Sequence, residues 1–326
     1  MELPYELRDA IEAVLQKPEY HLNLPNMKKI AQTLSERYRK KSGCGNRLLV
    51  ADEEAAVYSA VRMPATFGAV SSALQYTLEC LPEVETPLSL LDVGAGTGTA
   101  SWAADAILNL SSISCLEREG AMQHVGKSLM NAGSDVLQNA RWKNIDIAVD
   151  TIQEHADLVI AAYVLNELTE KSRMEVFQKL WAVTDKILLI VEPGTPEGFS
   201  QISAARSALT AEGAFLAAPC PNLMKCPMPK DDWCHFTCRV QRSKLHKMLK
   251  EGDAPYEDEK FCYMAFSREK TIPTTARVLR HPFTEKEKIT LSLCTNNGLQ
   301  NVSIKKSQKT TYKLARKVSC GDSFTE

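Results

Sequence analysis

The chain has 326 residues, 44% of them hydrophobic and 24% charged, and a formal net charge of −1 at pH 7. That balance suits a globular protein with a buried core. It excludes a whole-molecule field that would draw in nucleic acid, so any such contact must come from local patches. The longest apolar runs, 159–165 and 187–191, are far too short to span a bilayer. The first residues, Met1-Glu2-Leu3-Pro4-Tyr5-Glu6, show neither a basic and apolar secretory pattern nor an Arg-rich transit pattern. The reading is therefore of a cytoplasmic protein, monomeric, with no membrane and no DNA partner. In a reducing compartment ten cysteines point to metal wherever they cluster. Cys44, Cys80, Cys115 and Cys320 are scattered and read as small buried hydrophobes or surface thiols.

In chain order, residues 1–82 carry apolar residues at helical spacing over 5–16, 27–41 and 53–80, with a turn at 42–46. Pro64 predicts a split or a kink in the third helix. From residue 83 to about 200 short apolar runs alternate with helical stretches. Strands are expected at 88–93, 113–116, 142–148, 157–164 and 187–191, with a helix at 100–110. That alternation predicts an α/β fold, a Rossmann-like parallel sheet preceded by a helical region. Residues 201–326 form a Cys-rich, partly β extension with strands at 261–268, 289–293 and 300–304. The last two face each other across Asn296-Asn297-Gly298 as a hairpin.

The first strand runs into Asp92-Val93-Gly94-Ala95-Gly96-Thr97-Gly98 and then a helix. Glycines permit the tight turn and let a ligand approach the backbone, and amides at a helix start donate to its polar groups. Asp92 ends the strand before the glycines, Glu117 ends the next strand and is placed to accept from ribose hydroxyls, and Asp146 follows the third and could meet an adenine amino group. Asp92, Gly94, Gly96, Gly98, Glu117 and Asp146 are thus the candidate cofactor residues. The Asp-x-Gly-x-Gly-x-Gly spacing fits the S-adenosylmethionine loop of class I methyltransferases, whereas NAD enzymes use Gly-x-Gly-x-x-Gly. After the fourth strand, Tyr163-Val164-Leu165-Asn166-Glu167-Leu168 lacks the Asn/Asp-Pro-Pro-aromatic tetrad of amino-methylating enzymes. Asn166 and Glu167 can hold a substrate or cap a helix, and the catalytic residues are not assigned.

Cys220, Cys226, Cys234 and Cys238 fall within nineteen residues, with His235 among them. Four thiolates can hold zinc or an iron–sulfur cluster, and buried or reactive thiols are the alternative. Pro219-Cys220 also resembles the nucleophile of cytosine-C5 methyltransferases, but beyond the fifth strand rather than after the fourth.

Three stretches are basic. Residues 28–47 hold Lys28, Lys29, Arg37, Arg39, Lys40, Lys41 and Arg47 against one acid, Glu36. Residues 239–250 include Arg239 and Arg242 and no acid, and residues 303–317 include Lys305 and Lys306 and no acid. With Tyr38 and Tyr312 among them, they suit an RNA backbone with stacked bases.

Taken in order, several segments resemble the methyltransferase-like proteins of the mitochondrial small ribosomal subunit and their bacterial relatives. They are Tyr58-Ser59-Ala60-Val61-Arg62-Met63-Pro64-Ala65-Thr66, the glycine loop, 162–168, Val191-Glu192-Pro193-Gly194-Thr195-Pro196, 220–226, Trp233-Cys234-His235-Phe236, Asp258-Glu259-Lys260-Phe261 and Leu291-Ser292-Leu293-Cys294-Thr295. The resemblance implies a class I methyltransferase fold and association with the small ribosomal subunit and its rRNA in assembly or translation. It also implies a [4Fe-4S] cluster on Cys220, Cys226, Cys234 and Cys294, which makes Cys238 a bystander. The compact chain without a transit pattern fits a bacterial-type, cytosolic member. An active rRNA methyltransferase, or a small-molecule methyltransferase with structural zinc, are the alternatives.

Overall fold

A computed structural model describes residues 1–41, 49, 51–250 and 252–325, without side chains at 39–41. The N-terminal region is helical: α1 (Tyr5–Leu15), α2 (Leu24–Lys41) and α3 (Asp52–Leu78). Asp52, Glu53 and Glu54 occupy the first turn of α3, where carboxylates meet the positive end of the helix dipole. Pro64 does not split α3, which runs unbroken through it. Burial on nearly all sides explains this: the helix lies against the sheet and its neighbours, and that packing offsets the missing backbone hydrogen bond. The turn expected at 42–46 lies outside the described residues, as do Cys44 and Arg47.

The central unit runs β1 (Leu88–Val93), α4 (Thr99–Asp105), β2 (Leu110–Leu116), α5 (Gly120–Met130), α6 (Asp135–Gln138), β3 (Arg141–Lys143), β4 (Ala156–Ala162), α7 (Glu170–Ala182), β5 (Thr184–Pro193), α8 (Pro196–Ala211), β6 (Phe215–Ala218), β7 (Phe236–Gln241), α9 (Lys244–Lys250) and β8 (Tyr256–Ser267). Strands β1 to β5 are parallel in the order 3-2-1-4-5, as the alternation of apolar runs and helical stretches predicted. The third strand is far shorter than expected, because pairing with β2 ends at Lys143.

The sheet does not stop at residue 200. β8 runs antiparallel to β5, β6 pairs with β8, and β7 pairs with the first half of β8. The division at 200/201 therefore cuts through the sheet. Its antiparallel edge needs β8, from chain that returns after the Cys-rich loop, a long-range pairing that no local periodicity reports. One apolar core lies on the face covered by α3, α4 and α5, and a second on the face covered by α7 and α8.

The remainder folds on its own small core. β9 (Ala276–Val278), β10 (Phe283–Thr284), β11 (Lys288–Thr295) and β12 (Gly298–Lys305) form a second antiparallel sheet, followed by α10 (Lys309–Ala315). Val278, Ile289, Leu291 and Ile304 form its centre. β11 and β12 make the expected hairpin, with Thr295 opposite Gly298. Gly298 has φ +102°, the left-handed region that a tight turn demands and glycine tolerates.

Arg277 ties this sheet to the larger unit. It is fully buried and donates to the carbonyls of Gly321 (2.8 Å) and Pro219 (3.3 Å), its Nη2 lies 3.3 Å from Cys80 Sγ, and its guanidinium lies over the Tyr76 ring. Among the described residues no helix is long and apolar enough to cross a membrane.

Candidate functional site

Parallel pairing brings the C-terminal ends of β1, β2 and β4 level: Asp92 lies opposite Cys115 and Ile160. In open α/β sheets ligands bind beyond the strand ends where the strand order reverses, and here the reversal falls between β1 and β4. A pocket opens there, enclosing about 880 Å³ with solvent-open space included. Asp92, Gly94, Gly96, Glu117 and Asp146 all line it. Gly98, between the lining residues Thr97 and Thr99, is the left-handed N-cap of α4 (φ +83°).

Each acid has a distinct environment. Asp92 is buried and accepts from the Ser101 amide (3.0 Å) and hydroxyl (2.7 Å), so it clamps the first turn of α4 against the strand end. Burial raises its pKa to about 6, against the pull of the Ser101 hydrogen bonds. Glu117 accepts from the Gly96 amide (2.8 Å) and the Glu119 amide (2.8 Å), which fixes the glycine loop to the end of β2. Burial raises the Glu117 pKa as well. Asp146 lies three residues past β3, accepts from the Ala148 amide and faces Arg118 at 3.5 Å.

Arg118, Glu119 and Glu167 complete this wall, and spacing alone did not single them out as a group. The Arg118 guanidinium lies 3.4–3.5 Å from Glu119, Asp146 and Glu167. Glu167 is pushed up to about 8, by burial first and by the Glu117 charge next. The pocket thus offers buried carboxylates and one guanidinium, a set of polar groups matched to a zwitterionic, hydroxyl-bearing ligand, while the Gly94, Ala95, Gly96 and Gly98 amides hold the loop itself in shape. Tyr38 from α2 and Tyr58 and Thr66 from α3 close its outer side. Tyr163 stands at its inner edge with φ +59°, a conformation rare for a bulky residue. Its hydroxyl donates to Glu259 at 2.9 Å.

The cysteines lie elsewhere. Cys220, Cys226, Cys234 and Cys294 line one mostly apolar cavity of about 540 Å³, with Cys262 as a fifth thiol that spacing had not picked out. Cys238 does not line it and instead packs under Gly68 of α3. Burial pushes Cys220 up to about 12 and Cys294 up to about 11, and raises Cys234 well above the usual thiol range. Arg206 of α8 donates to the carbonyls of Asn222 (3.0 Å) and Met224, which pins the chain between Cys220 and Cys226. Soft thiols beside Arg206 suit a thiophilic metal in kind. In geometry, no group of three or more His, Cys, Asp or Glu among the described residues is arranged to hold an ion.

The basic stretches separate. Lys28, Lys29 and Arg37 lie on α2, where Arg37 pairs with Glu54 at 2.7 Å. The side chains of Arg39, Lys40 and Lys41 lie outside the described residues. Arg239 and Arg242 had no acid near them in sequence, but β8 brings two. Arg239 makes a two-point contact with Asp258 (2.8 and 3.0 Å), and Arg242 pairs with Glu257 (2.9 Å). Lys305 ends β12 and Lys306 follows it, facing Glu287 at 3.9 Å.

A five-stranded parallel sheet in the order 3-2-1-4-5, an antiparallel strand beside β5 and a glycine loop latched by Glu117 define a class I methyltransferase fold. Residues 52–325 match the family described as Mitochondrial small ribosomal subunit Rsm22, and the chain belongs to that family. The human ribosome assembly protein METTL17, mitochondrial, is 28% identical over 82% of this chain and 61% of its own length. The Rsm22-cox11 tandem protein 2, mitochondrial, of Schizosaccharomyces pombe is 23% identical over 51% of this chain and 29% of its own. The chain thus spans about three-fifths of the human relative's length and less than a third of the yeast one's. Among solved structures it is similar to magnesium protoporphyrin IX methyltransferase of Synechocystis PCC 6803 with bound SAM. That match has 13% identity and a TM-score of 0.42, and covers 72% of this chain and 91% of that one. The ribosomal protein L11 methylase of Lactobacillus delbrueckii subsp. bulgaricus gives 11% identity, a TM-score of 0.36, and 60% and 78% coverage.

The cytoplasmic placement is corrected by these matches, because the family and the curated relatives are mitochondrial. That expectation rested on the composition of a few leading residues, which says nothing of where the folded domain works.

Proposed function

We infer that this chain is a ribosome-assembly factor of methyltransferase fold that binds S-adenosylmethionine and small-subunit rRNA, in the mitochondrial setting of its relatives. The observation that carries the reading is the latched glycine loop, Gly96 to Glu117 at 2.8 Å, in a member of a small-ribosomal-subunit family. Asp92, Gly94, Gly96, Gly98, Glu117 and Asp146 are the cofactor residues. The carboxylates of Glu117 and Asp146 suit the hydroxyls and amines of the cofactor, the glycines let it approach the loop backbone, and the wall of Ile145 and Ile147 suits its adenine. Contact with rRNA falls to Lys28, Lys29, Arg37, Arg39, Lys40 and Lys41 of α2 first. Arg239, Arg242, Lys305 and Lys306 come second: acids face Arg239, Arg242 and Lys306, and the pair Lys305 and Lys306 lies at the end of β12 on the separate small sheet.

Cys220, Cys226, Cys234 and Cys294 are the residues that would hold a [4Fe-4S] cluster, with zinc as the alternative. Their gathering around one cavity supports this reading. The bound group would join the loop after β6 to β11 of the small sheet, adding a cross-link between the two sheets.

The test is ultraviolet cross-linking of the full chain in cells, with the RNA contacts mapped. Enrichment of small-subunit rRNA is expected, and its absence, with the protein sedimenting free of ribosomal particles, overturns the reading. Anaerobic purification should yield iron and acid-labile sulfide; stoichiometric zinc without iron overturns the cluster. A second reading, an active rRNA methyltransferase, is favoured by Tyr163, Val164 and Glu167 lining the cofactor pocket. It requires transfer of labelled methyl to small-subunit rRNA precursors, and no transfer to any precursor refutes it.

A further inference from the structure

A second and wider chamber, about 1880 Å³ with solvent-open space included, adjoins the cofactor pocket. The two share Tyr38, Tyr58 and Tyr163 as a common wall. Three features describe what it accepts. The first is aromatic surface: the Tyr38 and Tyr58 rings lie 5.7 Å apart, tilted by 33°. The second is an amide. Gln201 of α8 is 1% exposed, lines the chamber, and has no partner for either its carbonyl oxygen or its NH2 among the described residues. Buried polar groups in native proteins are almost always hydrogen-bonded, so this amide is set to meet a ligand offering both a donor and an acceptor. Gly198 makes its position possible. A Cβ there would lie 2.0 Å from the Pro193 carbonyl, and only glycine lets α8 start so close to the end of β5.

The third feature is charge. Inside, cations are matched: Arg62 faces Glu259 at 3.5 Å, and Arg242 and Lys250 share Glu257 at 2.8–2.9 Å. Outside, α2 with Lys29 packs against α9 with Lys244 and Lys247. A balanced interior suits an uncharged ring, and a basic rim suits the phosphodiester strand that carries it. Aromatic side chains that stack a base, and polar groups that read its edge, are how proteins hold unpaired RNA.

We propose that this chamber takes a single unpaired RNA base, splayed from its strand, stacked on Tyr38 and Tyr58 and hydrogen-bonded by the Gln201 amide. The proposal rests on the RNA-binding reading above and adds where one base goes. It assigns no methyl-acceptor atom.

The test uses the full chain and a short single-stranded RNA carrying one fluorescent purine analogue. Anisotropy reports strand binding, and quenching of the analogue reports stacking in the chamber. Wild-type protein should do both, with strand binding weakening as salt rises. Gln201→Met keeps the volume but removes the amide, and should weaken the quenching-coupled step about tenfold. Ala31→Phe fills the chamber from α2 and should abolish quenching while strand binding stays within about twofold. S-adenosylhomocysteine binding by both variants checks that they fold. Strand binding without quenching, or quenching unchanged in Ala31→Phe, overturns the proposal and leaves RNA binding standing. A photo-cross-linker at position 31 that captures ribosomal protein and no RNA also overturns it. Failure of strand binding itself removes the RNA reading and the proposal together.

Discussion

Replacing Gly96 by leucine separates cofactor binding from folding. Gly96 has φ +55°, and a Cβ built on it meets nothing within 4 Å, because it points into the open pocket. The backbone cost of holding a non-glycine residue in the left-handed region is about 1–2 kcal/mol. In a chain of this size that lowers the thermal midpoint by about 2–6 °C. The leucine side chain then fills the pocket in front of the loop, and S-adenosylhomocysteine affinity should fall at least about a hundredfold, or ~2.7 kcal/mol. Gly94→Ala is the contrast. It has φ +68°, and its Cβ would sit 2.5–2.7 Å from Val164 Cγ2 and Cβ. A branch-point atom cannot move aside without its backbone, so this variant should lose about 2–4 kcal/mol of stability. Calorimetric titration and thermal unfolding of both variants decide the matter. Near-native S-adenosylhomocysteine binding by Gly96→Leu would refute the assignment of the pocket. A loss of stability equal to that of Gly94→Ala would refute the loop geometry.

Glu192 is fully buried, accepts from the Leu165 amide at 2.8 Å, and has its pKa raised by burial from 4.5 to about 8. A raised carboxylate stabilises fully below its unfolded pKa, and that contribution is lost as pH rises through its folded one. Glu192→Gln keeps an acceptor for Leu165 and should outlast the wild type in thermal unfolding above pH 8, by about 2–4 kcal/mol, with the gap closing towards pH 5; equal pH profiles would count against the burial argument. Cys294→Ser should lose bound metal and Cys238→Ser should keep it, measured by elemental analysis, and the reverse would reject the ligand set. Arg277→Met leaves the Gly321 and Pro219 carbonyls without their donor and should cost about 1–3 kcal/mol. Limited proteolysis should then cut between the two sheets first, and unchanged resistance would show that the small sheet is held by other contacts.

Where structure follows from neighbouring residues, the sequence alone sufficed. The apolar run 88–93 enters the glycine loop as β1, and the interval from Asp92 to Glu117 is the length of one strand–helix–strand unit. The two acids therefore had to end adjacent parallel strands. The hairpin over Asn296-Asn297-Gly298 was equally local, since left-handed backbone at Gly298 is a property of the turn itself. Tertiary structure decided the rest, through contacts between distant residues. β8 returns to complete the sheet and sets Glu257 and Asp258 against Arg242 and Arg239, so a stretch that reads as free positive charge is largely paired. Gln201, Tyr58 and Tyr163 come from three separate segments, and only packing puts them around one chamber. The glycine loop remained legible throughout because its function is written in backbone geometry. The chamber was not, because its chemistry exists only once α2, α3 and α8 have come together.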